Sequence, residues 1–268
     1  MGITRTILLL CMLLSTSGAR AGETYYFFNP ESNVDSYASL KSEFENYFTS
    51  RGGFNFQPFD LGDNFEKVLS SRTNGVYLLS GGLFGQYRTQ GDLNPHLVGI
   101  SKGAVVQRKV LCIKGSGGLD DLKGLTVASP GSPQYVRGFL KEVLGPDKAA
   151  LLDSIRILSV PKDIDALMAV NFGMANASLT SESSLQKLSL INPAQSNALK
   201  TLGQSSESFL LVASLPKQGD RSTAEMMEVL ERMSLDPEGL KDLKMIGLDG
   251  WKRIDALPPT AQKLLRSP

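Results

Sequence analysis

The 268-residue chain carries 28 lysine and arginine residues against 27 aspartate and glutamate residues, and it has a single histidine. This balance argues against a nucleic-acid or membrane-surface binder, because such proteins need an excess of basic side chains on one face. His96 follows a proline, with no second histidine for a zinc site and no evident nucleophile beside it. We therefore expect a chain that is not an enzyme and holds no metal or cofactor.

The N-terminus has the pattern of a cleavable export signal. Arg5 precedes an apolar run over residues 7–14, and a polar stretch then ends at Ala19-Arg20-Ala21. This pattern predicts a signal peptide over residues 1–21, cleavage after Ala21 and a mature protein in the periplasm. The apolar run is far shorter than the roughly 20 residues that span a bilayer, so we expect the mature chain to be soluble. Cys11 leaves with the signal, and Cys112 alone cannot form an internal disulfide.

Strand and helix signals alternate along the first part of the mature chain. Asn29-Pro30 and Gly52-Gly53 are typical of positions where regular elements end. Hydrophobic periodicity predicts strands over 24–28, 54–59, 76–79, 97–100 and 105–113, with helices around 37–48 and 65–69. Residues 80–85 follow the third strand and are predicted to form a small polar loop.

The same order of signals begins again after residue 120. Strands are predicted over 125–128, 155–160, 177–180 and 209–215, with helices after Ser132 and over 163–172 and a helical tail. Two successive sets of this kind indicate an α/β protein of two lobes, in which the carboxyl ends of the strands face one cleft. We place the first lobe at residues 22–108 and 213–268 and the second at 109–212, joined by two long crossing strands.

Three segments resemble a known family. GLDDLKGLTVASPGS (118–132), ALMAVNFGMANASLTSESSL (166–185) and NGVYLLSGGLFGQYR (74–88) are similar to those of the PhnD-like periplasmic solute-binding proteins of phosphonate, phosphite and phosphate uptake. The resemblance implies a type II periplasmic binding protein fold, with a mixed sheet flanked by helices in each lobe. It also implies closure of the lobes around a small, oxyanionic ligand and delivery of that ligand to an ABC transporter.

The chain departs from the family pattern in its loops. Ser132 matches a ligand-binding hydroxyl, but the following Pro133 lacks an N–H donor. Phe84 stands where the family has an aromatic phenol, and Asn176 stands where it often has a carboxylate. These changes weaken the inference of the ligand but not that of the fold.

Candidate ligand contacts lie at the predicted strand ends, where ligands of α/β sheets bind. They are Asn29, Ser80, Gly81, Phe84, Ser129, Ser132, Gln134, Tyr135, Thr180 and Ser181. For several of them a structural role is an equal alternative: Ser132, Thr180 and Ser181 are ordinary helix caps, and Gly81 suits a tight turn.

Three functional hypotheses follow. The first is a monomeric solute-binding protein with a small-molecule ligand and an ABC permease as partner. The second is a ligand-sensing or accessory module that docks on a membrane sensor or a redox partner. The third is an enzyme on the same fold, for which the sequence offers no nameable acid, base or nucleophile. Cys112 is expected in a buried strand, and arsenite sensing by its thiol, known among relatives of this superfamily, stays a minor alternative.

Overall fold

The computed structural model describes residues 23–265, apart from residues 33, 72, 91 and 218–220. The predicted signal peptide, with Cys11, lies outside the described residues. Within them, no helix combines the length and the apolar character needed to cross a membrane.

The strands and helices of the described residues alternate as the sequence predicts. The strands are β1 (Thr24–Phe28), β2 (Asn55–Pro58), β3 (Gly75–Leu79), β4 (Leu93–Ile100), β5 (Val106–Gln107), β6 (Lys109–Lys114), β7 (Thr126–Pro130), β8 (Arg156–Val160), β9 (Ala177–Ser181), β10 (Leu199–Gln204), β11 (Ser208–Phe209), β12 (Val212–Pro216) and β13 (Gly250–Arg253). The α-helices are α1 (Tyr37–Gly52), α2 (Gly62–Ser70), α3 (Gly81–Tyr87), α4 (Pro133–Leu144), α5 (Ala149–Ser154), α6 (Asp163–Asn171), α7 (Glu182–Ile191), α8 (Pro193–Asn197), α9 (Arg221–Arg232), α10 (Pro237–Met245) and α11 (Pro259–Gln262).

A six-stranded mixed sheet forms the centre of the first lobe. Its order is β13-β4-β12-β3-β1-β2, with β1 parallel to β2 and β3 and with β12 antiparallel to β3 and β4. Helix α1 starts at Ser36, whose side chain accepts a hydrogen bond from the Ser39 N–H, and ends at Gly53 in the left-handed conformation. Its aromatic face packs on the sheet, since the rings of Tyr25 and Phe48 stack with centroids 3.8 Å apart.

A five-stranded mixed sheet forms the centre of the second lobe. Its order is β10-β6-β9-β7-β8, with β7 parallel to β8 and β9 and with β6 antiparallel to β9 and β10. The apolar stripe of α4 is buried as its spacing predicts, with Val136, Leu140 and Leu144 in the core. Cys112 is fully buried in β6, which confirms its prediction as a buried strand residue.

Two short crossover segments, residues 105–108 and 205–211, connect the sheets. The predicted single strand over 105–113 is divided at Arg108 into β5 and β6, and the predicted strand over 209–215 is divided into β11 and β12. Strands β5 and β11 pair only with each other, whereas β6 and β12 belong to different sheets. The prediction of one continuous strand was therefore wrong in both places, because the chain passes from one sheet to the other there. The lobe boundaries predicted at 108/109 and 212/213 stay predictions.

Several other predictions were wrong in detail. Residues 81–87 form helix α3 and not a loop, and the strand predicted over 97–100 begins earlier, at Leu93, so it includes His96. Strand β10 was missed because most of its side chains are exposed or half-buried, as at a sheet edge. Strand β13 also was missed, so the tail after residue 216 is not wholly helical.

Candidate functional site

Five polar side chains meet where the two lobes face each other, and we call them the interlobe cluster. Glu31 follows β1 in the first lobe, and Tyr135 and Asp163 lie in the first turns of α4 and α6 in the second lobe. Gln107 lies in the first crossover, and Lys109 directly follows it. Each strand or helix ends or begins at this point, so the cluster lies at the position that strand topology predicts for a ligand.

Glu31 is directed into the cluster by a turn that Asn29 stabilises. The Asn29 side-chain oxygen accepts a hydrogen bond from the Glu31 N–H at 3.0 Å, and its backbone carbonyl accepts one from the Ser32 hydroxyl at 2.7 Å. The Glu31 side chain is only 1% exposed. Asn29, a predicted ligand contact, therefore shapes the loop that places Glu31.

Three donors converge on the Glu31 carboxylate. The Tyr135 hydroxyl donates to Oε1 and the Gln107 amide donates to Oε2. The Lys109 ammonium lies 3.7 Å from Oε1. Because Tyr135 belongs to the second lobe and Glu31 to the first, these contacts hold the two lobes together.

Lys109 connects this carboxylate to a second one. Its Nζ donates to Asp163 Oδ1 at 3.0 Å, and both side chains are at most 2% exposed. Asp163 Oδ2 accepts a hydrogen bond from the Ser181 N–H at 3.0 Å, and the Thr180 hydroxyl donates to the Asp163 carbonyl at 3.1 Å. The buried ammonium is thus placed between two carboxylates, as a desolvated charge requires.

Burial and charge shift the acidity of these groups. Burial raises the pKa of Glu31, although the Lys109 ammonium opposes that change. Burial alone would lower the pKa of Lys109, but the carboxylates of Asp163 and Glu31 raise it above its ordinary value. Burial, together with the Glu31 charge, raises the pKa of Tyr135, so its hydroxyl stays protonated and acts as a donor.

A cavity of about 630 Å³ adjoins the cluster. It lies between α3 of the first lobe, α4 of the second lobe and the second crossover. Most of the residues that line the cavity are apolar or uncharged, and two of them carry carboxylates. The lining residues include Gly82, Phe84, Tyr135, Phe139, Glu142, Glu207 and Phe209. Tyr135 belongs to both places, because it lines the cavity and its hydroxyl donates to Glu31.

Two glycines let α3 approach this cavity closely. A Cβ atom on Gly81 would lie 2.4 Å from the backbone N and O of Phe209, and one on Gly82 would lie 2.6 Å from the Phe139 ring. Gly81 therefore has no room for a side chain, because the atoms in the way are backbone, whereas a side chain at Gly82 would require the Phe139 ring to move. The first turn of α3 is therefore packed against the crossover and against the second lobe.

The structure brings some of the predicted contacts together and separates others. Four of them line the cavity: Gly81, Phe84, Gln134 and Tyr135. The buried Ser80 caps α3 and hydrogen-bonds the Tyr135 side chain, and Ser132 caps α4. Thr180 and Ser181 support Asp163, Ser181 also caps α7, and the Ser129 hydroxyl donates to the Pro130 carbonyl.

Sequence reasoning missed four members of the cluster, namely Glu31, Gln107, Lys109 and Asp163. The signal available was one lysine at the start of an apolar strand, Lys109-Val110-Leu111-Cys112-Ile113. Its partner Asp163 lies 54 positions away along the chain, so the ion pair becomes visible only in the folded structure.

The described residues contain no group of three or more metal-ligating side chains placed to hold an ion.

Comparisons with known proteins point to one architecture. No family model matches the chain, and no curated protein matches it either. Among solved structures, XAC2383 from Xanthomonas citri, bound to chloride ion or to ATP, has a TM-score of 0.68, and with chloride the identity is 15% over 91% of this chain and 94% of that one.

Two solved structures of the phosphonate group are also similar. A binding protein component of an ABC phosphonate transporter from Pseudomonas aeruginosa has a TM-score of 0.64 at 12% identity, over 86% of this chain and 80% of that chain. PhnD1 from Prochlorococcus marinus, in complex with methylphosphonate, has a TM-score of 0.61 at 13% identity, over 91% and 97%. At these identities the similarity is one of fold, and it confirms the fold class predicted from the sequence.

Proposed function

We propose, from the type II periplasmic binding protein fold that this chain has, that it binds a small solute between its lobes and delivers it to an ABC transporter. The observation that supports this most directly is the cavity of about 630 Å³ between α3, α4 and the second crossover. Its volume suits a small molecule, and such sites commonly combine apolar walls with a few polar groups.

The donors of the interlobe cluster favour an oxyanionic group on the solute. Tyr135, Gln107 and Lys109 present a hydroxyl, an amide and an ammonium to one point, and all three are at present directed at a carboxylate. Two proteins of similar fold belong to phosphonate transport or bind methylphosphonate. We therefore extend the proposal to a phosphonate-, phosphite- or phosphate-like ligand, as the sequence resemblance implies.

Thermal unfolding of residues 22–268 with a panel of solutes tests this proposal. The panel contains phosphate, phosphite, methylphosphonate, aminoethylphosphonate, sulfate and simple carboxylates. A ligand at 100 times its Kd adds about 2.7 kcal/mol to stability, which for a chain of this size raises the midpoint by several degrees.

A matched pair of variants ties the shift to the cavity. Gly138 lines the cavity, and a Cβ atom placed there meets no atom within 4 Å. Gly138→Leu should fill space that the solute needs and remove the shift, whereas Gly138→Ala should retain it. An unchanged shift with Gly138→Leu would place the solute elsewhere and contradict the proposed site.

A second candidate function is a sensor or accessory module that closes without a solute. The observation that favours it is the Glu31 carboxylate of the first lobe, which already satisfies donors of the second lobe and of the first crossover. A panel in which no solute shifts the midpoint would favour this module over the solute carrier.

A further inference from the structure

The Glu31 carboxylate occupies a complete anion-binding arrangement made by the rest of the chain. Its two oxygens accept hydrogen bonds from Tyr135 and Gln107, and Lys109 supplies the positive charge at 3.7 Å. These donors come from the second lobe and the first crossover, whereas Glu31 comes from the first lobe. The arrangement is thus a receptor filled by a group of the protein itself.

The arrangement is held independently of Glu31. Lys109 keeps a full ion pair with Asp163 at 3.0 Å, and its backbone N–H donates to the Ser205 hydroxyl at 2.9 Å. The Tyr135 side chain is hydrogen-bonded by Ser80 and packs edge-on against Phe139, with ring centroids 5.1 Å apart. The donors would therefore stay in place if the Glu31 side chain left.

The neighbouring cavity indicates what would replace it. Tyr135 joins the two, so a molecule that takes the place of the carboxylate extends from the cluster into the cavity. Phe84, Phe139 and Phe209 line that space, and no lysine, arginine or histidine is among its described lining residues. Glu142 and Glu207 also lie along it, and Arg108 pairs with Glu207 at 3.0 Å, so Glu142 carries most of the negative charge there. Apolar walls beside carboxylates suit an uncharged apolar body and disfavour a second negative charge.

We propose that Glu31 is a built-in competitor for the solute, and that the solute is an organic acid with one negative charge and an apolar body. Its acid group replaces the Glu31 carboxylate on Tyr135, Gln107 and Lys109, and its body fills the cavity. One negative charge leaves as another arrives, so the balance around Lys109 and Asp163 is conserved. This inference rests on the proposed solute-binding function, and within the oxyanionic ligands named there it favours an organic acid over inorganic phosphate and phosphite.

Calorimetric titration with three probes of matched shape tests the ligand class. The probes are phenylacetate, phenylacetamide and phenethylamine, which carry a carboxylate, an amide and an ammonium group on the same body. Glu31→Ala removes the competitor, so phenylacetate should bind this variant about tenfold or more tightly than the wild type. The amide and the amine should gain nothing.

Asp35→Ala is the matched control. Asp35 lies in the same loop and pairs across the lobes with Lys162 at 3.6 Å, but its side chain is fully exposed. The Asp35→Ala variant should bind phenylacetate with the same affinity as the wild type. Equal affinity of the Glu31→Ala variant and the wild type would overturn the proposal. So would a wild type that binds phenethylamine and a Glu31→Ala variant that does not, because Glu31 would then be a direct contact of a cationic solute.

A rescue experiment separates this proposal from the proposed function. Acetate should raise the unfolding temperature of Glu31→Ala in a saturable way and leave the wild type unchanged, because it restores the missing carboxylate to the three donors. Glu31→Gln, which keeps the shape of the side chain, serves if Glu31→Ala does not fold, and it should also favour phenylacetate over the amide. Rescue by acetate without binding of any larger solute would support the anion receptor and contradict the solute carrier. Absence of rescue would contradict the receptor itself.

Discussion

Lys109 illustrates, at the scale of one residue, how a buried charge is made tolerable. Its ammonium lies between Asp163 and Glu31, and its backbone exchanges two hydrogen bonds of 2.9 Å with Ser205. Removing one partner from such a pair costs more than the pair itself contributes, because a charge stays buried without compensation. The residue therefore fixes the relative position of β6, α6 and the loop after β1.

Asp242 is buried without the hydrogen-bonded partners that Lys109 has, and this environment predicts how the stability of the protein depends on pH. It lies in α10 at 1% exposure, and neither carboxylate oxygen has a hydrogen-bond partner among the described residues. Burial, with the nearby Glu43 charge, raises the pKa of Asp242 to about 6. The folded state thus binds a proton more tightly than the unfolded state, so this group lowers stability as the pH rises from about 4 to about 6, and the full cost is present above that.

Asp242→Asn should remove this dependence on pH. At pH 8 the variant should be more stable than the wild type by about 1 to 3 kcal/mol, and the difference should shrink toward pH 4. Urea unfolding at a series of pH values measures it. Glu43→Gln, which removes the neighbouring negative charge, should reduce the dependence of stability on pH without abolishing it. A constant difference between the variant and the wild type across this range would show that the carboxylate does not titrate there.

At the scale of elements, the first turn of α3 packs tightly against the second crossover. Gly81 has no room for a side chain, because the Phe209 backbone lies where a Cβ atom would be. Gly85, one turn later in the same helix, has no atom within 4 Å of such a Cβ position. Gly81 is thus needed because a side chain does not fit there, whereas Gly85 has space for a side chain and carries only the general cost of glycine in a helix.

Gly81→Ala and Gly85→Ala should therefore change stability in opposite directions. The first forces the helix away from the crossover and should cost about 1 to 3 kcal/mol. The second reduces the flexibility of the unfolded chain and should stabilise by up to about 1 kcal/mol. Thermal unfolding of both variants decides the matter. A neutral or stabilising Gly81→Ala would mean that α3 and the crossover separate easily.

The elements also show how far the sequence predicts this structure. Strands such as β1 and β3 were found because their apolar runs are continuous and buried on both faces. Strands β10 and β13 lie at sheet edges, where one neighbour is missing and the hydrophobic signal is weak. The interlobe cluster depends on residues far apart in the chain, and periodicity carries no information about such contacts.

At the scale of the whole molecule, the contact between Tyr135 and Glu31 should control how closely the lobes lie together. Both side chains are buried, and the hydrogen bond that the Tyr135 hydroxyl donates to Glu31 connects the second lobe to the first. Tyr135→Phe removes that donor and leaves a desolvated carboxylate with fewer partners, at a cost of about 1 to 3 kcal/mol. Because opening the lobes returns the carboxylate to water, the variant should open more often.

Small-angle X-ray scattering measures this opening as an increased radius of gyration. Tyr87→Phe is the control, since its hydroxyl also donates to a glutamate, Glu66, but both residues belong to the first lobe. It should lose stability without a change in the radius. If Tyr135→Phe stays as compact as Tyr87→Phe, the lobes are held by the packing of α3 against Phe139 and the crossover, and the hydrogen bond to Glu31 follows closure without causing it.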